Sequence, residues 1–101
     1  MGELELEDEA NEREQKRRAQ EQADDLRWLL SGPRGRRIAW RWLESAGVFR
    51  TSFSTDALAM AFAEGQRNAG LRLMDQVLAV RPDAYTQIVK ENGQTDGHTD
   101  E

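Results

Sequence analysis

The chain alternates between stretches that carry large apolar side chains and stretches that carry none. Between Glu7 and Asp25 there is no Val, Ile, Leu, Met, Phe, Tyr or Trp, and from Lys90 onward only Glu91 to Glu101 follow, again with none. Between Leu26 and Val89 there are twenty-three. That contrast predicts a helical or flexible charged arm over residues 1–25, a folded domain over 26–90, and a disordered acidic tail over 91–101.

Residues 3–25 are rich in Glu, Gln, Arg and Ala, all good helix formers. Pairs such as Glu12–Lys16 and Glu14–Arg18 have the i,i+4 spacing that supports a helix. Ala19, Ala23, Leu26 and Leu30 then form one face, so the first helix gains an apolar stripe only at its C-terminal end and frays at its start. Ser31-Gly32-Pro33 stops it, with Gly32 as the natural C-cap.

Pro33 suits the first turn of a second helix, which runs to Gly47 and turns Ile38, Ala39, Trp42, Leu43 and Ala46 to one broad face. A third helix is expected from Asp56, with Ser54 or Thr55 as alternative caps, to about Val80. Its apolar residues make two adjoining strips, Leu58-Phe62-Ala69-Leu73-Val77 and Met60-Ala63-Leu71-Met74-Leu78, so it should touch protein on two sides. Pro82 opens a last short helix. No strand signal competes. The expected fold class is all-α: a small bundle of three main helices plus a short C-terminal one.

Between the second and third helices lies "GVFRTSF", residues 47–53, unusually apolar for a connection. Val48, Phe49 and Phe53 are expected to cross the core and fill the space where the two helices diverge. Trp40, Trp42 and Phe62 join them as expected core. Gly65 and Gly70 sit inside the third helix, where each glycine costs about 1 kcal/mol against alanine. Close approach of the Trp40 or Trp42 ring would justify both. Arg67 and Asn68 would then bond backbone carbonyls of the 47–53 crossing as a polar latch. Alternatively, Arg50, Arg67 and Asn68 face a partner.

Charge sharpens this picture. Of the 101 residues, the first twenty-five hold ten acids and four bases; residues 26–50 hold six arginines and one acid; the last eleven hold four acids and no base. An acidic flank, a basic centre and an acidic end imply self-screening of the centre or two partners of opposite sign. Arg34, Arg36, Arg37, Arg41, Arg50 and Arg67 are the candidate partner-binding residues. Arg36 and Trp40 are spaced to stack. A helix, a short turn and a basic helix also resemble a DNA-reading arrangement, but the pI is 4.9 and the bases cluster at a helix start. A solvated face or an acidic protein partner ranks above nucleic acid.

Catalytic chemistry is not expected. There is no cysteine, the single histidine is His98, and no serine has a base beside it. "SGPRG" lacks the lysine and preceding strand of a phosphate loop. Neither a catalytic nor a metal residue is assigned, and neither a cofactor nor a small-molecule substrate is expected. No run approaches membrane-spanning length and no signal-peptide pattern opens the chain, so the default location is cytosolic. A core of this size is marginal, which favours oligomerisation or docking on a larger protein.

Asp25-Leu26 with Trp28-Leu29-Leu30, Gly35-Arg36-Arg37, Trp40, Leu43, the Gly47-Val48-Phe49-Arg50 and Ser52-Phe53 block, Glu64-Gly65, Arg67-Asn68 and Gly70-Leu71 together resemble the Bbp-nineteen-like family of small tailed-phage and prophage proteins, named after an open reading frame of a Bordetella phage. The likeness spans about residues 26–80. It implies a phage origin and a place among virion or assembly genes: the portal and tail vertex, the internal core ejected with DNA, or an assembly accessory. The implied partners are other phage proteins in several symmetric copies, in the virion or in the host cytoplasm during assembly. The competing reading is a small phage DNA-binding regulator using the Arg34–Arg41 helix.

Overall fold

A computed structural model describes residues 2–93, and these are helical with short connections. The elements are α1 (Glu3–Leu29), α2 (Pro33–Ser45), α3 (Ala57–Val80) and α4 (Pro82–Ile88), continued by a π-helical turn over Val89–Gly93. No strand occurs among the described residues.

α1 is one unbroken helix of 27 residues with no fully buried side chain. Glu3 and Glu5 in its first turn suit the positive end of the helix dipole. Its surface is tied by local pairs: Glu14 accepts from Arg17 (2.7 Å) and Arg18 (3.0 Å), and Asp24 from Gln20 (3.0 Å) and Arg27 (3.1 Å). Ala23, Leu26 and Leu29 become half-buried only near its end, and Leu30, just past it, is fully buried. The apolar stripe thus starts where expected. Gly32 does not cap α1: its backbone is extended (φ −128°) and it serves as the N-cap of α2, while Leu30 closes α1.

Pro33 opens α2, and Gly35, Ala39 and Leu43, spaced four apart, form its buried face. A Cβ at Gly35 would collide with the Leu29 carbonyl oxygen, so a residue without one lets the end of α1 rest on α2. α2 ends in a Schellman motif: Gly47 adopts φ +84°, its N–H donates to Glu44 O (3.0 Å), and Val48 N–H donates to Leu43 O (3.2 Å). Val48 and Leu43 are both buried, giving the apolar contact that accompanies this cap.

Asp56 starts α3 by accepting from Leu58 N–H (3.0 Å) and Ala59 N–H (3.5 Å), and Ser54 Oγ in turn accepts from Asp56 N–H (3.1 Å). The core gathers Leu30, Ala39, Val77, Ala84 and Ile88, ringed by Leu26, Trp40, Leu73, Val80 and Tyr85. All four helices contribute to it or to its rim.

The folded part does not stop at Lys90. Glu91 is bound by Arg36, Asn92 Nδ2 donates to Ile88 O (3.0 Å), and Gly93 lies against Trp40. The first three residues assigned to the tail therefore belong to the fold. The rest of that tail, with His98, lies outside the described residues.

The molecule is long and thin, with extents of 70 × 39 × 16 Å and a Cα radius of gyration of 18.4 Å. A compact domain of this length has a radius of about 13 Å. A thickness of 16 Å is no more than two packed helices. That thinness decides which apolar residues can be covered.

Candidate protein-binding surface

The arginines of the central segment divide into two kinds. Arg34, Arg37 and Arg41 are exposed along one side of α2. Arg36, between them, turns inward: it binds both Glu91 oxygens (3.0 and 2.8 Å) and donates to Leu30 O (3.0 Å). It therefore joins the end of α1, the start of α2 and the C-terminal turn. The Arg36 hydrogen bond, helped by Gln87, holds the Glu91 carboxyl below its usual range, and Glu91 raises Arg36 in return. Arg36 is a structural tie, and Trp40 stacks on Phe49, not on it.

The "GVFRTSF" crossing departs in part from expectation. Val48 is buried. Phe49 stacks on Trp40, with 43% of its surface still exposed. Phe53 is 74% exposed and is not a core residue. Phe62, at 69%, is equally open, and Leu58 more so at 83%. Trp42 is half-exposed at 50%. The cause is geometric: a body only 16 Å thick has too few layers to cover the outer side of α3 as well as the side that meets the crossing.

The two glycines inside α3 differ, and neither meets the expected tryptophan ring. Gly70 is a close-approach site, but Val48 and Ala46 occupy the space, not a tryptophan: a Cβ there would lie 2.5 Å from Val48 Cγ2 and 2.7 Å from Ala46 Cβ. Gly65 faces open space, so no ring accounts for it. The polar latch exists with different members. Ser52 Oγ donates to Glu64 Oε1, tying the crossing to α3, while Asn68 is exposed. Arg67 lies half-buried beside Glu64 (3.9 Å), and its Nε is buried without a hydrogen-bond partner among the described residues. Arg50 is exposed, its guanidinium folded back toward Gly47.

Three features carry no local sequence signal: the Arg36–Glu91 tie, the Ser52–Glu64 bond, and the exposure of Trp28 beside the α1–α2 junction. Gly35 carried a usable signal, since a glycine near a helix start among three arginines needs a packing reason.

Among the described residues no group of three or more His, Cys, Asp or Glu is placed to hold a metal ion, and no helix is long and apolar enough to cross a membrane. What the surface offers is an unusual amount of unsheltered apolar area on α3 and the crossing, and a basic side of α2.

Comparison with known proteins gives one match. No curated protein and no solved structure matches the chain. Residues 26–90, the stretch that carries the core, the arginines and the aromatic crossing, match the family described as Bbp19-like phage protein, and the chain belongs to that family.

Proposed function

We propose that this phage protein is a small structural or assembly-associated component that acts by binding other phage proteins in or around the virion, without a catalytic step. The observation that carries this reading is the open apolar surface of Phe53, Leu58 and Phe62. Large apolar side chains exposed in sequence neighbours are costly to leave in water and mark contact with protein. The few fully buried side chains add support, because a core this small gains from docking. The portal and tail vertex, the ejected internal core and an assembly accessory are the positions such a part fills, in the virion or in the host cytoplasm during assembly.

Mass spectrometry of purified virions tests the reading. The expected result is the chain at many copies per particle; its absence from particles and from assembly intermediates overturns it. A DNA-binding regulator is the second reading, favoured by one observation: Arg34, Arg37 and Arg41 stand exposed on one side of α2. It ranks second because Glu91 occupies Arg36, the middle of that cluster.

A further inference from the structure

Arg34, Arg37 and Arg41 are spaced by three and then four residues, which places them on one stripe of α2. All three are exposed, and none has a carboxylate within ion-pair distance among the described residues. On the arm, Glu5, Asp8 and Glu12 are spaced by three and then four as well. They continue, toward the N-terminus, the same side of α1 that carries Ala19, Ala23 and Leu26. These acids are likewise exposed and unpaired within the described chain. Leu4, exposed, flanks the acids one turn from Asp8, and half-exposed Trp42 flanks the arginines one residue from Arg41.

One molecule cannot bring the two stripes together. α1 is unbroken, so Glu12 stands about 25 Å along the axis from Leu29, while Arg34 lies just beyond that end. α1 meets α3 through its C-terminal part, and residues 2–13 are all exposed, so the arm extends alone. We infer that the Glu5-Asp8-Glu12 stripe of one copy docks on the Arg34-Arg37-Arg41 stripe of a second copy of this chain. The matched spacing and opposite charge select that occupant. Each copy offers one arm and one receiving stripe, so association gives a reciprocal pair, a ring, or an open filament where the rotation does not close. This inference rests on the protein-binding reading and names its partner.

The test is sedimentation equilibrium on the full chain and two charge-reversed variants, with helicity checked by circular dichroism. One variant carries Glu5→Lys, Asp8→Lys and Glu12→Lys; the other carries Arg34→Glu, Arg37→Glu and Arg41→Glu. The parent should self-associate at low salt and weaken between about 50 and 500 mM salt. Each variant alone should associate at least about tenfold more weakly, since exposed charges contribute modestly and repulsion replaces attraction. An equimolar mixture should recover association to within about threefold of the parent, because the reversed stripes are again complementary. A parent that stays monomeric, variants that associate like the parent, or a mixture that fails to recover would each overturn the inference. So would a monomeric chain whose arginine stripe binds duplex DNA. A monomeric chain still found in virions would sink this inference alone and leave the protein-binding reading standing.

Discussion

Trp40 and Phe49 stack with ring centroids 5.0 Å apart and planes inclined by 24°. The pair fastens the start of the crossing to α2, and beyond it the chain leaves the core. Phe49→Ala should cost about 1 to 3 kcal/mol, less than for a fully buried ring because Phe49 is only half covered. Phe53→Ala should change stability by no more than about 0.5 kcal/mol, as expected of an exposed position. Urea unfolding followed by circular dichroism separates the two. Equal losses at both positions would mean that Phe53 is buried after all.

Two glycines of α3 should respond with opposite sign. At Gly65 a methyl group meets open space, so Gly65→Ala should stabilise by up to about 1 kcal/mol through helix propensity. At Gly70 the same methyl would press on Val48 and Ala46, and overpacking of this kind costs about 1 to 3 kcal/mol. Thermal melts of the two variants check the ordering; Gly70→Ala melting above Gly65→Ala would refute it.

The Arg36–Glu91 pair predicts a response to acid. The folded chain depresses the Glu91 carboxyl below 4.5, first through the Arg36 hydrogen bond and then through Gln87. The folded state therefore binds this proton less readily than the unfolded state does. The pair's stabilisation is complete above pH about 4.5 and is lost as pH falls through the depressed value. Glu91→Gln should flatten that part of the stability curve. Unfolding midpoints at pH 7 and pH 3 give the measurement, and the parent should lose more over that interval than the variant. The exposed Glu14, drawn down to about 2 by Arg17 and then Arg18, can be followed separately by carboxyl NMR.

Duplex DNA should bind weakly and without sequence preference, at about 10⁻⁴ to 10⁻⁶ M near physiological salt. Glu91 occupies Arg36, the middle of the cluster, and the chain as a whole is acidic, with a net charge of -5. A titration that yields nanomolar, sequence-selective binding would promote the regulator reading.

The helices were readable because their punctuation is chemical. Pro33, Asp56 and Pro82 start helices α2, α3 and α4, and Gly47 ends α2 in the left-handed conformation that a glycine tolerates best. The two apolar strips of α3 were also readable, but not which would be covered. Strip position is a property of one helix; coverage depends on how many layers surround it, and here there are too few to shelter Leu58 and Phe62. A glycine at position 70 signals a close contact but not its neighbour, because Val48 reaches it through a turn whose path no local pattern encodes. Glu91 was hidden by its company: one acid in a polar run gives no sign that an arginine 55 residues earlier will bind it.

The contact of Gly35 with the Leu29 carbonyl has a mechanical consequence. Together with the packing of α1 on α3 and the Arg27 hydrogen bond to Val80 O, it fixes the C-terminal part of α1 on the body, so the arm leaves at a set angle instead of swinging on a tether. A 27-residue helix held this way is a lever about 40 Å long. A loose chain of equal length would dilute its tip over a wide volume, whereas a clamped rod holds the tip at nearly one radius and direction. Whatever receives the tip must lie at that reach. Gly35→Ala, by forcing the Leu29 carbonyl aside, would re-aim the lever without altering any residue at its end.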